Sequence, residues 1–291
     1  MVEVFLQLFV SALFTGIIYS LMAIGLSVIF GVVRVINFAH GEFVMLAMYL
    51  TFWIFSFLGI DPYLSIFITM PLFFILGIAL HLGIIKHILE APEEAQVIAT
   101  FGVAFILRYG AALFWSSKHR SVVTPLTEKL FYLGPITLDS PHLMGAFLAG
   151  ALIVGLFIFL YYTYLGRAIR AVADEKMGAI TAGINVGRIY YIAIGIGLAC
   201  VAVSGAAMIP IESVFPTLGA NYTLLCFVIV VLGGMGNLWG SLLGGIIIAQ
   251  IEMLVAFLFS PVLTTFAYFL VFLIIVTLRP TGLLGFRERR S

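Results

Sequence analysis

The polar side chains between Arg34 and Glu42 are the first in the chain whose types and spacing could do chemistry. This short stretch carries a guanidinium, an amide, an imidazole and a carboxyl on Arg34, Asn37, His40 and Glu42, and long apolar runs flank it on both sides. Ionisable groups are costly inside apolar sequence, so they are usually retained to bind a ligand or to pair with one another. We therefore expect a functional or assembly site in this segment.

The spacing sends these side chains in two directions. If Asn37–Leu46 forms one helix, Asn37, His40 and Gly41 share a face and are candidates for lining a translocation pathway. Glu42 follows His40 by two residues, about 200° around a helix, so its carboxyl points away from that face. We expect Glu42 to hold a neighbouring helix.

Several polar residues could instead have purely structural roles. Asn37 could be the N-cap of the second span, and Arg34 could anchor the cytoplasmic edge of the membrane. Glu212 lies between two prolines, Pro210 and Pro216, which indicates a loop at the outer mouth where water solvates the carboxyl. These roles require no contact with a substrate.

A glycine-rich stretch divides the longest apolar run, Tyr222–Phe259. As one helix this run would be about 57 Å long, nearly twice the thickness of a bilayer core. We predict instead two helices that meet at Gly233–Asn237. Around the break Gly236, Gly240 and Gly244 recur every four residues, a spacing that lets helix backbones approach closely.

Glu252 lies in the second of these helices. It falls within about 60° of a small-residue stripe formed by Ser241, Gly245 and Ala249. This position faces protein rather than lipid, where an intramembrane carboxyl is tolerated. We predict structural pairing for Glu252, with substrate contact as the alternative.

The polar connection 165–188 is the second informative segment. Apolar residues recur at spacings of three and four over 169–180, which predicts a short amphipathic helix broken by Gly178 and Gly183. The pattern fits either a solvated loop or an element on which a partner protein docks. The residues expected on its polar side are Arg167, Arg170 and Asp174.

Motifs of enzymatic chemistry are missing from the sequence. It has no Gly-x-x-x-x-Gly-Lys-Ser/Thr phosphate loop, no Gly-x-Ser-x-Gly motif and no metal-ligand spacing among its five histidines. Cys200 and Cys226 lie in apolar runs and are interpreted as buried small hydrophobes. We predict no catalytic residue, no metal and no cofactor, so another subunit must hydrolyse any ATP that drives transport.

The composition places these residues in a membrane. Of 291 residues, 63% are hydrophobic and only 9% are charged, against about 25% charged in a soluble domain. The apolar runs are continuous, as in transmembrane helices. We predict an all-α integral membrane protein, one domain over residues 1–291, with eight or nine transmembrane segments and a first helix that is retained rather than cleaved.

Basic residues indicate the orientation. Eight of the 14 basic residues lie in two segments. Four are in the connection 165–188, and the other four are in the tail, namely Arg279, Arg287, Arg289 and Arg290. Both segments should therefore be cytoplasmic, and nine crossings would put the amino terminus outside. We expect a multi-pass protein of the cytoplasmic (inner) membrane. The net charge of +1 gives no indication of a nucleic-acid partner.

Four motifs together resemble the LivH/LivM-type permeases of branched-chain amino acid ABC importers, LivH-like members above all. The resemblance covers almost the whole chain. In chain order the motifs are Ile36-Asn-Phe-Ala-His-Gly-Glu42, Gly166-Arg-Ala-x-Arg-Ala-x-Ala-x-Glu175 with Gly183-Ile-Asn185, Val231-Leu-Gly-Gly-Met-Gly236 with Gly240 and Gly244-Gly245, and Pro280-Thr-Gly-Leu-Leu-Gly285.

The resemblance implies partners. Such permeases pair with a second, LivM-like permease, and two cytoplasmic ATPase subunits dock on the connection 165–188. A periplasmic or extracellular binding protein delivers the substrate, which is a branched-chain or similar apolar amino acid. The residues implied in ATPase coupling are Gly166, Arg167, Arg170, Asp174, Glu175, Gly183 and Asn185.

Two departures from the family pattern leave other substrates open. Leu225 stands where members often carry a basic residue, and Ile85–Pro92 replaces their Arg-Pro-rich loop. Related permeases carry urea, short amides, or aromatic and other organic acids. Two rival classes are an ion-coupled secondary transporter, with Glu42, Glu212 and Glu252 on its ion path, and a membrane scaffold without transport.

Overall fold

The computed structural model describes residues 2–133, 136–279 and 281–285. In these ranges the chain is a bundle of apolar helices, which confirms the predicted all-α membrane class. The helices are α1 (Val2–Val33), α2 (His40–Leu58), α3 (Pro62–Leu80), α4 (Lys86–Ile88), α5 (Glu93–Trp115), α6 (Ser140–Tyr162), α7 (Tyr164–Asp174), α8 (Lys176–Thr181), α9 (Val186–Met208), α10 (Leu218–Gly233), α11 (Leu238–Leu258) and α12 (Thr264–Leu278).

Eight helical segments in the described part of the chain are long and apolar enough to cross a membrane. A π-helical turn, His81–Ile85, joins α3 to α4 as one span, and a 3-10 turn, Pro261–Leu263, opens the last span. The helix α10 has 16 residues and is the shorter ninth segment. The prediction of eight or nine segments is therefore confirmed.

The break between α10 and α11 lies where the sequence predicts it. Gly234 and Gly236 adopt φ values of 103° and 82°, a region that glycine enters without a steric penalty. Asn237 then caps α11, since its Oδ1 accepts a hydrogen bond from the Gly240 backbone N–H at 3.0 Å. These local preferences stop one helix and start the next within four residues.

One end of the bundle, which we call the α7–α8 end, carries the two short helices that follow α6. Near it, Phe157 of α6 stacks on Trp239 at the start of α11, with ring centroids 4.3 Å apart. Gly31, close to the end of α1, packs on Gly236 in the α10–α11 turn. The basic tail residues beyond Arg279 lie outside the described residues, so their cytoplasmic position stays a prediction.

The opposite end, the hairpin end, carries a feature that the sequence did not indicate. Strands β1 (Leu130–Leu133) and β2 (Ile136–Asp139) form a small antiparallel hairpin. Gln7 near the start of α1 bonds to it, accepting the Thr137 backbone N–H at 2.8 Å. The start of α1 and the connection 165–188 therefore lie at opposite ends of the bundle, as the predicted orientation requires.

The core lies around α1 and α9, which pack on each other through small residues. A Cβ on Gly25 would lie 2.6 Å from the Gly197 carbonyl oxygen, so the two backbones touch. Ser20 of α1 donates to the Leu242 carbonyl oxygen of α11 at 2.8 Å. In contrast, α5 and α12 lie at the periphery of the bundle and expose most of their apolar side chains.

Candidate functional site

The segment between α1 and α2 is not helical, which corrects one prediction. The helix α2 begins at His40, so the expected single helix Asn37–Leu46 is wrong over its first three residues. The Asn37 Oδ1 accepts a hydrogen bond from the Ala39 N–H at 3.1 Å, in an Asx turn that competes with helix formation. Asn37 is buried before the helix and shares no helical face with His40. Arg34 is exposed at the end of α1, with φ of 58°.

His40 and Gly41 join α2 to two neighbouring helices. The His40 Nε2 donates to the Met22 carbonyl oxygen of α1 at 3.0 Å, and the ring is fully buried. A Cβ on Gly41 would lie 2.1 Å from the backbone nitrogen of Thr223, so only glycine fits against α10. The Gly41 N–H donates to the Thr223 Oγ1 at 3.0 Å. Their part in a translocation pathway stays a prediction.

Glu42 points to other helices and meets a residue that the sequence did not single out. Its Oε1 accepts two hydrogen bonds from Arg108 of α5, one from Nε at 2.9 Å and one from Nη2. Its Oε2 abuts Gly219 of α10, where a Cβ would lie 2.1 Å away. The only available signal for Arg108 was an arginine inside the apolar run Val97–Trp115. This carboxyl thus links α2, α5 and α10.

The glycines of α11 lie in close helix contacts. Gly240 packs on the backbone of Gly233, and a Cβ on it would lie 2.0 Å from the Gly233 carbonyl oxygen. Gly244 packs on the Ile229 carbonyl oxygen in the same way. Together with Gly236 these residues hold α11 on α10 and α1. The four-residue spacing of these glycines places them on one face of α11, where they allow close contact between helix backbones.

Glu212 and Glu252 lie together near the hairpin end. Both line two adjoining cavities of about 160 and 400 Å³, to which α1, α10, α11 and α12 contribute in the smaller and α1, α6, α9, α11 and α12 in the larger. The Tyr222 hydroxyl donates to the Glu212 Oε2 at 2.5 Å, and the Tyr19 hydroxyl faces the Glu252 carboxyl. The sequence did not predict this pair, because the two residues come from a loop and a helix 40 positions apart.

Glu212 lies in the loop that its prolines indicate, and its carboxyl is partly shielded from water. The loop that carries it folds onto the bundle, since Val214 pairs with Arg120 in a two-residue bridge. Burial raises the pKa of the Glu212 carboxyl above its usual value, and the hydrogen bond from Tyr222 opposes that shift in part. Glu212 thus lies in a loop at the hairpin end, as expected, with a carboxyl that is only partly exposed.

The connection 165–188 forms two helices instead of the single one predicted. Between α7 and α8 Glu175 is extended, with φ of −149° and ψ of 108°. The break predicted at Gly178 is wrong, because Gly178 lies inside α8. Gly183, with φ of 79°, follows the end of α8 as expected. Asn185 then caps α9, accepting the Arg188 N–H on Oδ1 at 3.0 Å.

The two short helices turn their apolar residues in different directions. Ile169 and Val172 of α7 are buried against the bundle. On α8 Met177 and Ile180 keep 65% and 46% of their surface exposed. The kink at Glu175 explains the difference, because it interrupts the single stripe that the spacing indicates.

The charged residues of this segment also separate. Arg170 is tied to α6, since its Nε donates to the Leu160 carbonyl oxygen at 3.1 Å and its guanidinium lies over the Tyr161 ring. Gly166 packs so closely on α6 that a Cβ would lie 2.2 Å from the Phe159 carbonyl oxygen. The other charged side chains of the segment are exposed, namely Arg167, Asp174, Glu175, Lys176 and Arg188. The ATPase-coupling role of the whole set stays a prediction.

Comparison with known proteins gives the family. Residues 8–278 match the family described as branched-chain amino acid transport system, permease component. The match covers the membrane-spanning segments from α1 to α12. The chain belongs to this family. The permease is therefore a transport subunit rather than an enzyme, which confirms the prediction made from the missing catalytic motifs, and it is a multi-pass membrane protein.

Curated relatives match the permease over nearly its full length. It is 26% identical over 301 residues to the high-affinity branched-chain amino acid transport system permease protein BraD of Pseudomonas aeruginosa. It is 28% identical over 300 residues to the corresponding protein LivH of Escherichia coli K12. Each alignment covers 97% of this chain and 96% of the relative. The LivH-like resemblance is confirmed.

A solved structure supports the fold. The permease aligns with a chain of PsaBC from Streptococcus pneumoniae, solved in complex with Fab, with a TM-score of 0.53 over 97% of both chains. The sequence identity is 16%, so this likeness concerns the fold alone.

The family motifs of the permease come together at the α7–α8 end. The third and fourth motifs are in direct contact, because the Leu283 N–H donates to the Leu232 carbonyl oxygen at 2.8 Å and Gly234 packs on Gly285. The first motif runs from this end, after Val33, back into the bundle at His40. The described residues of these motifs thus lie at junctions between backbone segments and do not line one common pocket.

Proposed function

We propose that this permease is the membrane subunit of an ABC importer that carries branched-chain or similar apolar amino acids across the cytoplasmic membrane. Separate ATPase subunits hydrolyse the nucleotide, and a second permease, LivM-like or another copy of this chain, completes the pathway. A substrate-binding protein delivers the amino acid at the hairpin end. The family match over residues 8–278 and the names of the full-length relatives support this proposal.

The observation that carries the ATPase partner is the exposed apolar pair of α8. Met177 and Ile180 lie beyond the membrane spans, where an exposed apolar pair with a charged rim favours an interface with a soluble protein. Arg167 and Asp174 supply charges beside it. A solvated loop has no need of these two apolar side chains.

The coupling follows from how α7 is fixed. Its apolar face is buried, and Arg170 and Gly166 hold it on the end of α6. A displacement of α8 by a docked ATPase is therefore passed to α6 through α7 and to α9 through the Asn185 cap. Movement of these spans would open or close the pathway, in the manner of packed elements with discrete arrangements.

Reconstitution tests the transport function. Proteoliposomes that contain the permease, its partner permease, the ATPases and the binding protein should transport leucine only when ATP is present on the side of the membrane that carries the ATPases. The control is the same preparation with a non-hydrolysable ATP analogue. Uptake driven by an ion gradient without ATP would establish the secondary-transporter alternative instead.

Substitution of the exposed pair tests the docking surface. Met177→Ser with Ile180→Ser should abolish co-purification of the ATPase while leaving the permease monodisperse, because both side chains are exposed. Val123→Ser is the matched control, an exposed apolar residue in the loop at the hairpin end. An ATPase complex that survives the double substitution would show that α8 is not the docking element.

A further inference from the structure

The two cavities near the hairpin end have no role in the packing or the ATPase docking described above. They share the lining residues Tyr19, Glu212, Glu252 and Thr264, so the two lie side by side and are described below as two parts of one space. The larger part, about 400 Å³, lies within the range of roughly 300–1,000 Å³ that is usual for small-molecule sites. Helices α1, α6, α9, α11 and α12 and the loop after α9 line it.

One part of this space is acidic and hydroxyl-rich. Around Glu212 and Glu252 stand three tyrosines that are each more than nine-tenths buried, with exposures of 7%, 3% and 6% for Tyr19, Tyr222 and Tyr268. Within the described residues, no lysine or arginine forms a salt bridge with either carboxyl. Two carboxylates that face the same partly buried space repel each other, and a cationic ligand relieves that repulsion.

The other part of the space is mainly apolar. Its walls include short and unbranched side chains from α1, α9 and α11, and His142 lies on its edge. Such a lining fits an aliphatic chain of a few carbons. The apolar residues are Ala12, Met208, Ile211, Ala249, Met253 and Ala256.

We propose that this space binds the substrate amino acid, with its α-ammonium group between Glu212 and Glu252 and its aliphatic side chain against the apolar wall. The ammonium group donates charge-assisted hydrogen bonds to the carboxyls, and the tyrosine rings and hydroxyls complete its surroundings. The ligand class is thus a primary ammonium with a branched aliphatic chain. This inference rests on the proposed function, because it takes the imported amino acid as the ligand.

The surroundings of Glu42 differ from those of Glu212 and Glu252. Glu42 has its own cation in Arg108 and lines neither cavity. Glu252 instead faces the Tyr19 hydroxyl and lines the space described above. Among the described residues no basic side chain forms a salt bridge with Glu252, whereas Arg108 forms one with Glu42.

Direct binding of radiolabelled L-leucine to the purified transporter, without the binding protein, tests the proposal. Unlabelled 3-methylbutylamine, which keeps the ammonium group and the chain, should displace leucine. The probe 4-methylpentanoate, which lacks the ammonium group, should not. Equal displacement by both probes, or no leucine binding at millimolar concentration, would overturn the inference.

Substitutions locate the binding in the cavity. Glu252→Gln and Glu212→Gln should each weaken leucine binding at least tenfold, and Tyr19→Phe should weaken it several-fold while keeping the ring that packs in the core. Glu128→Gln, an exposed acid at the same end, is the matched control and should bind like the wild type. Wild-type binding by both Glu→Gln variants would place the leucine elsewhere.

Uptake measured on the same preparations separates this inference from the proposed function. ATP-driven leucine uptake together with unchanged binding in Glu252→Gln and Glu212→Gln would leave the importer intact and remove the site. A different outcome would be that 3-methylbutylamine binds, that both substitutions abolish this binding, and that no amino acid is taken up. The cavity would then be a site for ammonium ligands, and the transport proposal would be refuted.

Discussion

Two buried acidic regions of the permease are built in opposite ways. Glu42 is fully buried, bonded to Arg108 and packed against Gly219, and it does not line the cavity that Glu212 and Glu252 face. Glu212 and Glu252 face a shared cavity, and their described hydrogen-bonding neighbours are tyrosines rather than cations. The first region has a balanced charge and close packing, whereas the second has excess negative charge and space.

The difference indicates separate tasks. A buried ion pair contributes little net stability, but the loss of one partner leaves an uncompensated charge and is strongly destabilising. Glu42 should therefore matter for assembly. An unbalanced acidic cavity gives up stability that a cationic ligand restores, so Glu212 and Glu252 should matter for binding more than for folding. Substitutions can test whether this contrast holds.

The largest effect is expected at the ion pair. Arg108→Gln should destabilise the permease by about 3 kcal/mol or more, because it strands the Glu42 carboxyl in the core. Glu42→Gln should impair assembly less, since Arg108 keeps 22% of its side-chain surface exposed. The double variant Glu42→Gln/Arg108→Gln should recover part of the loss. Thermal unfolding and the monodisperse yield in detergent measure this.

Glu252→Gln is the comparison for that experiment. It should unfold within a few degrees of the wild type, because the carboxyl lines a cavity and forms no salt bridge with a described basic residue. Destabilisation of Glu252→Gln as large as that of Arg108→Gln would erase the contrast between the two regions.

The sequence predicts the membrane class and the helix break better than the partners of its polar residues. Apolar runs of sufficient length specify the spans, and Gly233–Asn237 specifies the α10–α11 turn through local backbone preference. Both are local properties, so periodicity and turn chemistry suffice. The direction of Glu42 away from His40 follows from the helix geometry in the same way.

The contacts of Arg108 and of Glu252 depend on tertiary packing instead. Nothing near Glu42 in the sequence indicates that a residue 66 positions later supplies its cation. The helix start at His40 shows another limit, because the Asn37 side chain captures a backbone N–H that a continued helix would use. Intramembrane arginines, of which Arg108 is one, are the signal that would have directed attention to the pair.

The close packing beside Glu42 gives a smaller expected effect. Gly41→Ala should destabilise the permease by about 1–3 kcal/mol, because the added methyl group meets the α10 backbone and forces the helices apart. Gly110→Ala on α5 is the matched control, since a Cβ there has no neighbour within 4 Å. That control should be neutral or stabilising by up to about 1 kcal/mol. Thermal unfolding of both variants makes the measurement.

The smallest effect is a pH dependence of leucine binding at the acidic cavity. Burial raises the pKa of Glu212, so this carboxyl takes up a proton at a higher pH than an exposed glutamate, which titrates near 4.3. The neutral form attracts an ammonium group less. Binding should therefore weaken as the pH falls through that raised pKa and recover above it.

The comparison variant for this titration is Glu212→Gln, which should bind more weakly but with a flatter pH profile. The other titratable groups that face the cavity, Glu252, His142 and the three tyrosines, stay in place in this variant. A profile as steep as that of the wild type would assign the dependence to one of them. A flatter profile ties the charge of Glu212 to ligand binding, which a carboxyl paired like Glu42 would not show.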